Sequence, residues 1–420
     1  MYWTERYSPG PVPYRMLDID LVHRPAAIDL EGRGGVAVRV RRHGRIVGYV
    51  LRAIEGGGVL AAEAVDDLLA RGAAVDIVRE ALERELRGDL VPGAGGPSMT
   101  VAVCTRDRAE RLRRCLASVR RAATDRTGVE VVVVDNAPSD GSTRAAVEEL
   151  GDVRYTSEPR AGLDFARNRA VAEAQGELLA FVDDDVVVDE GWVDAVRQAF
   201  LDQPDAGCVT GLVLPYAVDT EAQVRFEQRG GFRRGFERLR HVGPDAPGDR
   251  IFPFGAGRFG AGCNMAFRLS ALRELGGFDE ALDTGPPLPG GGDLDIFFRV
   301  LRAGGVLVYE PRAVVFHEHR RDMVGLRRQY RSWGEGFTAF LGKCWQVPED
   351  RPRVIATAAW WARYEARLVA LGVLGREGLT PALALAEAGG GVLGALGGYR
   401  RSRRRVAAID AAVAEERAGC

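Results

Sequence analysis

The sequence is poor in residues that cross-link small proteins. Its six cysteines are scattered over 420 residues without a C-x-x-C pair, which argues against a disulfide framework or a structural zinc site. Lysine is nearly absent: Lys343 is the single one among Lys+Arg 57, against Asp+Glu 59. The formal net charge of −2 excludes a global field that would hold the protein on nucleic acid, so no nucleic-acid partner is expected.

Long apolar runs are also missing. No stretch of about 18 or more residues is both strongly apolar and uncharged, so an integral membrane span is not expected. The N-terminal segment MYWTERYSPGPVPYR has no basic stretch followed by an apolar one, and we therefore expect a cytoplasmic location. With 46% hydrophobic and 28% charged residues, the composition is that of a globular protein, and its function must be sought in local sites.

Composition divides the chain into three regions. Residues 1–96 contain two alternating segments, VAVRVRR and RIVGYVLRA, joined at His43-Gly44, and a helical pattern from Ala61 to Leu86. They predict a small α+β module of unknown role that ends in a Gly/Pro-rich linker at Val91–Ser98. Residues 97–345 hold the motifs that can carry chemistry, and residues 346–420 are expected to form a helical C-terminal region.

From Thr100 onward, short apolar segments alternate with helical ones. The segments predicted as strands are TVAVCT, EVVVVDN, DVRYTSE, LLAFVDDD, GCVTGLVL and VLVYE. This alternation indicates an α/β fold with a mostly parallel sheet flanked by helices. In such a sheet, ligands bind at the carboxyl ends of the strands.

The most informative motif is Asp183-Asp184-Asp185, which follows the apolar strand LLAFV. Three adjacent carboxylates repel one another. A divalent cation that prefers oxygen ligands offsets this repulsion and can also hold phosphate oxygens. The alternative interpretation is an acidic turn that caps the next helix.

Other polar residues stand at the ends of predicted elements. Asp135 ends a strand and suits a hydrogen bond to a ribose or a base edge, unless it only forms a turn before Pro138. Arg160 can meet a base or a phosphate, although arginine is so abundant here that one residue is a weak signal. Asp293 and Asp295 open a helix after three glycines. One of them suits a helix cap and the other a general base.

Two of the five histidines lie close together in the segment VFHEHR. His317 and His319 flank Glu318 and resemble metal ligands. An H-x-H pair alone has a high false-positive rate, so its meaning depends on what the fold places beside it.

The order of these motifs is itself informative. One half of the region reads TVAVCTRDRAERLRRCLASV, VEVVVVDNAPSD, RAGLDFARNRAV and LLAFVDDD, and the other reads GAGCNMAF, GGFDE, GGGDLDIFFRVLRAG and VFHEHR. Together they resemble the nucleotide-binding and acceptor halves of the family-2 glycosyltransferases of the GT-A fold. The resemblance covers roughly Ser98–Arg321.

The resemblance implies an inverting, metal-dependent enzyme. It would move a sugar from a nucleotide-diphosphate sugar to a saccharide, lipid-linked or small-molecule acceptor. The products expected of such an enzyme are a cell-surface polysaccharide, a glycolipid or a glycosylated metabolite. The donor sugar and the acceptor are not specified by the sequence.

The resemblance also assigns roles to individual positions. The nucleotide-sugar site it implies consists of Thr105, Arg106, Asp135, Arg160, Asp183 and Asp184. The implied ligands of a divalent ion, Mn²⁺ or Mg²⁺, are Asp183, Asp185, His317 and His319. Asp293 matches the aspartate proposed as general base. Gly292 stands where the family commonly has an acidic residue, so Asp295 remains a second candidate for catalysis.

Three other functions compete with this interpretation. A sugar-1-phosphate nucleotidyltransferase is expected to carry a glycine-rich loop after the first strand, where CTRDRAE stands instead. A dinucleotide-dependent oxidoreductase needs G-x-G-x-x-G at the same place. A catalytically degenerate subunit that serves as a scaffold has a single argument in its favour, the glycine at position 292.

The end of the chain raises the question of location. An Ala/Gly-rich segment, Leu379–Gly398, precedes the basic run RRSRRR at Arg400–Arg405. A helix of this kind can rest on an anionic membrane surface, which would place the enzyme at the inner face of the cell membrane. The alternative is a plain C-terminal helix with a solvated basic end.

Overall fold

The computed structural model describes residues 13–54, 58–87, 95–124, 126–285, 288–374 and 380–418. Most of the N-terminal segment, the first half of the predicted linker (Val91–Ala94) and Leu379 lie outside the described residues. The predicted architecture is confirmed: a mostly parallel sheet is flanked by helices, with an α+β module before it and a helical region after it.

The N-terminal module is a small sheet with one long helix. Its elements are β1 (Arg15–Asp20), β2 (Ala27–Asp29), β3 (Gly35–Arg42), β4 (Arg45–Ala53), β5 (Val59–Ala61) and α1 (Ala62–Arg87). The predicted hairpin is β3–β4, and its turn residues His43 and Gly44 have φ angles of 50° and 80°, as the tight turn of a twisted hairpin requires. Strand β1 pairs in parallel with β3 and was not among the predicted strands.

The central sheet has nine strands. They are β6 (Met99–Thr105), β7 (Val129–Asn136), β8 (Arg154–Glu158), β9 (Leu178–Asp183), β10 (Val186–Val188), β11 (Ala206–Pro215), β12 (Leu239–Val242), β13 (Asn264–Arg268) and β14 (Val306–His317). The order is β10-β14-β11-β13-β9-β6-β7-β8, with β12 also paired to β14. Six strands share one direction, and β10, β12 and β13 run against them.

Seven helices connect these strands. They are α2 (Ala109–Ala123), α3 (Ser142–Glu148), α4 (Leu163–Glu173), α5 (Trp192–Asp202), α6 (Glu221–Gln228), α7 (Leu269–Glu274) and α8 (Gly292–Arg302). Apolar side chains of the sheet are buried on both faces, in one cluster with α2 and α5 and in another with α4 and α8. Because both faces are covered, the polar ends of the strands are left as the place for a site.

The N-terminal module packs against the central sheet through a shared apolar cluster. Tyr14, Ile46 and Tyr49 of the module are buried with Leu214 and Phe316 of the sheet. The guanidinium of Arg39 lies 4.4 Å from the centre of the Phe316 ring. The two regions therefore share part of one core.

The C-terminal region is helical, as predicted. Its helices are α9 (Met323–Cys344), α10 (Arg351–Val373), α11 (Pro381–Ala395) and α12 (Gly398–Ala418). A Cβ atom at Gly390 or Gly394 of α11 would lie 2.0 or 2.2 Å from a backbone carbonyl oxygen of α9. The glycines of the Ala/Gly-rich segment thus allow a close helix–helix contact. Among the described helices, none is long and apolar enough to span a bilayer.

Candidate active site

Three of the predicted site residues, Thr105, Asp135 and Asp183, lie at the carboxyl ends of three neighbouring strands. In the parallel ladder of β6 with β7, Thr105 is the partner of Asp135, and in the ladder of β6 with β9, Cys104 is the partner of Asp183. Register alone therefore brings the strand ends side by side, as expected for a parallel sheet.

The three consecutive aspartates have different surroundings. Asp184 is buried and accepts hydrogen bonds from the Thr105 hydroxyl at 2.7 Å and from Arg108 at 3.1 Å. Asp183 is half-buried, and burial together with the charge of Asp185 raises its pKa to about 7. The Asp185 Oδ1 atom is buried and accepts no hydrogen bond within the part of the chain that is described. Asp184 is thus occupied by protein partners, whereas Asp183 and Asp185 retain capacity for a cation.

A group of arginines surrounds Asp185, which the sequence did not reveal. Arg108, Arg111 and Arg320 each place a guanidinium nitrogen 3.9–4.0 Å from Asp185 Oδ2. Burial alone would raise the pKa of Asp185, but His317 and these arginines outweigh burial and lower it. All three arginine side chains are at least one-third exposed. They can therefore reach a phosphate group bound beside the aspartates.

The two histidines form a chain that ends on a buried glutamate. His319 Nε2 lies 2.9 Å from Glu227 Oε1, and the Nδ1 atoms of His319 and His317 are 3.1 Å apart. Arg233 lies 3.2 Å from Glu227. Burial alone would raise the pKa of Glu227, but Arg233 and His319 outweigh burial and keep it low. The glutamate can therefore only accept, so His319 donates to it from Nε2.

The hydrogen-bonded series from Glu227 through His319 bears on which ring nitrogen of His317 carries the proton. In the tautomer of His319 whose single ring proton lies on Nε2, its Nδ1 accepts and His317 Nδ1 donates. Burial lowers the pKa of His317 to about 4. The ring is therefore neutral at pH 7 and its Nε2 carries a free lone pair. That Nε2 atom lies 3.3 Å from Asp185 Oδ1, and two lone pairs that face each other at this distance favour a cation between them.

His319, which was predicted as a metal ligand, makes side-chain contacts through both ring nitrogens, one with Glu227 and the other with His317. These contacts indicate that His319 orients the His317 ring, as the partners of metal-binding histidines commonly do. The H-x-H pattern could not distinguish a ligand from a supporting residue, since Glu227 comes from α6, far away in the sequence.

Glu227→Gln tests the supporting role of this chain. A glutamine amide can donate to His319 and so allow the wrong tautomer of His317. We expect divalent-metal affinity to fall by about 10–100-fold, the usual effect of losing such a partner. Isothermal titration with Mn²⁺ measures the change, with Glu221→Gln, an exposed position on the same helix, as the matched control. Unchanged Mn²⁺ affinity in Glu227→Gln would contradict the assignment.

Three potential metal ligands from distant segments lie together. A carboxylate oxygen of Asp183, the Cys263 sulfur and a ring nitrogen of His317 are within 4.8 Å of one another. Burial, followed by the negative charges of Asp183, Asp185 and Asp293, raises the pKa of the Cys263 thiol well above its usual value. The donor set of these residues fits a divalent ion. Cys263 was not among the predicted site residues.

The two candidate general bases, Asp293 and Asp295, differ in burial and in their partners. Asp293 is half-buried at the start of α8, and its Oδ2 accepts from the Gly262 N–H at 3.1 Å. Asp295 is fully buried and is paired with Lys343 at 2.6 Å and Arg299 at 2.7 Å. A carboxylate held by two cations and closed off from solvent is a structural ion pair. The geometry therefore favours Asp293 as the base.

The glycine before Asp293 has a steric explanation. A Cβ atom at Gly292 would lie 2.2 Å from Oδ2 of Asp164. Asp164 is a fully buried residue of α4 that pairs with Arg167 at 2.9 Å. Asp283 also reaches this place, since it accepts from the Gly292 N–H at 3.2 Å. Carboxylates from other segments thus occupy the space that a side chain at position 292 would need.

We expect Gly292→Ala to destabilise the protein by about 1–3 kcal/mol, the usual effect of overpacking. In an Asp164→Ala background, Gly292→Ala should cost less than in the wild type, because the clashing carboxylate is then absent. Thermal or denaturant unfolding measures both. Gly342→Ala is the control, since a Cβ there meets nothing within 4 Å. Additive effects of the two substitutions would contradict the steric explanation.

The remaining predicted nucleoside contacts are partly engaged within the protein. Asp135 is buried and accepts from the Tyr155 hydroxyl at 2.9 Å, while burial raises its pKa. Arg160 pairs with Glu158 at 2.9 Å and with Asp410 of α12 at 3.3 Å. Arg106 is exposed, 3.7 Å from Asp107. The structure therefore brings Asp135 to the site edge and leaves Arg160 held by acidic neighbours.

Comparison with known proteins adds to this geometry. Residues 100–276 match the model of the family described as Glycosyl transferase family 2. The chain is 29% identical over 319 residues to the pre-mycofactocin glycosyltransferase of Mycobacterium tuberculosis, covering 70% of this chain and 62% of the relative. It is 28% identical over 242 residues to the succinoglycan biosynthesis protein ExoM of Rhizobium meliloti, covering 55% of this chain and 72% of the relative.

Among solved structures, a mannosyltransferase from Pyrobaculum calidifontis in complex with GDP-Man and Mn²⁺ superposes with a TM-score of 0.45 at 21% identity. That superposition covers 80% of this chain and 91% of the other. The chain spans about three fifths of the length of the mycobacterial relative (62%). The matched residues 100–276 include Thr105, Asp135 and the three aspartates, so this part of the chain is similar to the domain of that family.

Proposed function

We propose that this chain is a glycosyltransferase that moves a sugar from a nucleotide-diphosphate sugar to an acceptor hydroxyl, with inversion at the anomeric carbon. One observation carries the proposal. Asp293 accepts from the backbone of Gly262, and the next residue, Cys263, lies beside Asp183 and His317. A candidate general base and a group of metal ligands thus adjoin two consecutive residues, which supports a single displacement at a sugar bound next to both.

The base side of the reaction rests on Asp293. Its Oδ2 is fixed by the Gly262 N–H, and its side chain stays partly accessible at the start of α8. A carboxylate in this position can take the proton of an acceptor hydroxyl as the hydroxyl oxygen attacks. Asp295 is assigned to the ion pair with Lys343.

The donor would be bound by residues that can stabilise the negative charge of its diphosphate. Asp183, Asp185 and His317 would hold the divalent ion, Mn²⁺ or Mg²⁺, which supplies positive charge next to the leaving diphosphate. Arg108, Arg111 and Arg320 offer further positive charge at the same place. Asp135 would accept from the ribose or the base, with Thr105 fixing Asp184 behind the site.

The competing functions gain no support from the geometry. The degenerate-scaffold alternative relied on Gly292, whose lack of a side chain follows from the position of Asp164. A sugar-1-phosphate nucleotidyltransferase would need a glycine-rich loop after β6, where Arg106, Asp107 and Arg108 stand. Two of the relatives are a pre-mycofactocin glycosyltransferase and a succinoglycan biosynthesis protein.

A ligand screen tests the proposal. Thermal unfolding of the full chain is followed with nucleoside diphosphates and nucleotide sugars, with and without Mn²⁺ or Mg²⁺. A ligand at a hundred times its Kd stabilises by about 2.7 kcal/mol, so a metal-dependent shift with one nucleotide is expected. Asp183→Asn should abolish it. No shift with any nucleotide would favour the scaffold alternative. The anomeric configuration of the product, read by NMR, then tests inversion.

We also propose a cytoplasmic location with a peripheral membrane contact through the C-terminal region. Its support is the exposed arginines Arg400, Arg403 and Arg404 of α12, together with exposed apolar residues such as Val392 and Leu396. Each arginine near anionic headgroups contributes up to ~1 kcal/mol. Replacing these three arginines with glutamine should reduce co-sedimentation with phosphatidylserine vesicles, and unchanged co-sedimentation would exclude the contact.

A further inference from the structure

The sulfur of Cys263 occupies an unusual position for a buried cysteine. The residue is 5% exposed and stands just before β13, which runs antiparallel to β9, so that Asn264 is the ladder partner of Val182. This pairing places Cys263 next to Asp183. A buried cysteine usually acts as a small apolar side chain, but here its neighbours are carboxylates and an imidazole.

The surroundings of Cys263 are those of a ligand. Its sulfur lies within 4.8 Å of an Asp183 carboxylate oxygen and of a His317 ring nitrogen. In addition, His317 Nε2 lies 3.3 Å from Asp185 Oδ1, and contacts through His319 to Glu227 hold the His317 ring in place. Asp185 Oδ1 is buried beside it without a hydrogen-bond donor among the described residues. Several unused donor atoms of different chemistry therefore point to one place.

We propose that Cys263 is a ligand of the divalent ion, so that the site combines Asp183, Cys263 and His317 and prefers thiophilic ions such as Zn²⁺ or Co²⁺ to Mg²⁺. The inference rests on the proposed function, because that function assigns the ion to this place. A thiolate ligand selects soft or borderline ions, whereas a site built from oxygen ligands alone suits Mg²⁺. On binding, the S–H bond breaks, the metal–sulfur bond forms and the proton leaves to the solvent.

Cobalt provides a direct readout of the metal–sulfur bond. A thiolate bound to Co²⁺ gives a charge-transfer band in the near ultraviolet, which oxygen and nitrogen ligands do not give. The full chain is titrated with Co²⁺ as wild type, as Cys263→Ser and as Cys104→Ser. Cys104 is the matched control because it is the ladder partner of Asp183 but lies outside the group of three ligands. We expect the band in the wild type and in Cys104→Ser, and its loss in Cys263→Ser.

Affinities give the second readout. Competition with a chromophoric chelator should show Zn²⁺ and Co²⁺ binding weakened by at least about tenfold in Cys263→Ser, since even a supporting residue costs 10–100-fold. Mg²⁺ affinity, measured by isothermal titration, should change much less, because serine keeps an oxygen donor at the position. Circular dichroism of Cys263→Ser and of Cys263→Ala confirms that at least one variant is folded.

The outcomes separate this inference from the proposed function. A wild type that binds Co²⁺ without the band, or a band that survives in Cys263→Ser, would overturn the role of Cys263 and leave it as a packing residue. A metal-dependent shift with a nucleotide in the same samples would still support the transferase. The band without any nucleotide shift would support the ligand role and count against the transferase.

Discussion

Asp293→Asn is expected to lower the rate of sugar transfer by about 10²–10⁴-fold, the usual contribution of a positioned general base. Asparagine keeps the hydrogen bond from the Gly262 N–H but has no carboxylate to take the acceptor proton. Donor binding should persist, because Asp293 is neither a proposed metal ligand nor one of the arginines around Asp185. Steady-state kinetics and a thermal shift with the donor nucleotide measure the two effects separately.

Asp295→Asn is the informative comparison for this variant. It removes a buried charge that pairs with Lys343 and Arg299, and breaking a buried pair costs about 3–5 kcal/mol. Its main effect should therefore be a lower Tm, with turnover per folded molecule retained. Full turnover in Asp293→Asn, or a selective loss of turnover in a stable Asp295→Asn, would transfer the base role to Asp295.

Metal stabilisation is expected to grow steeply between about pH 5 and pH 8. In the metal-free protein, burial and Asp185 raise the pKa of Asp183 from 3.8 to about 7. Between these values the folded protein holds a proton that the unfolded chain has released. The contribution of this carboxyl group to the free energy of unfolding is therefore largest below about pH 4, and it is lost as the pH rises towards 7. A divalent ion competes with that proton and so stabilises more at high pH.

Thermal unfolding at several pH values, with and without Mn²⁺, measures this effect. Asp183→Asn should remove both the loss of stability with rising pH and the gain from Mn²⁺. Asp205→Asn is the control, since Asp205 is an exposed carboxylate paired with Arg240. Equal stabilisation by Mn²⁺ at pH 5 and pH 8 would contradict the raised pKa of Asp183.

The sequence predicted those parts of the site that follow from strand order. The end residues Thr105, Asp135 and Asp183 belong to neighbouring parallel strands, and parallel strands place such residues at one edge whatever the connections are. The repulsion among the three consecutive aspartates could be inferred from the sequence alone. For the same reason the hairpin at His43-Gly44 was predicted, since it depends only on local alternation and turn chemistry.

The parts that the sequence did not predict depend on contacts between distant segments. Cys263 precedes β13, a short antiparallel strand inserted into a parallel sheet, and neither the insertion nor its register has a local signal. Asp164 lies 128 positions before Gly292, and only the packing of α4 against the start of α8 relates them. His319 was predicted as a ligand from the H-x-H pattern, and its contact with Glu227 of α6 has no signal in the sequence around either residue.

The apolar cluster shared by the N-terminal module and the central sheet also determines how this protein can be dissected. Leu214 and Phe316 are buried in one apolar cluster with Tyr14 and Tyr49. A chain that begins near residue 97 would therefore expose apolar surface and tend to aggregate. The guanidinium of Arg233, which holds Glu227, stacks 4.5 Å above the ring of Tyr49. Shortened or chimeric versions therefore need the first module, or a replacement for the surface that it covers, even though its own residues carry none of the chemistry.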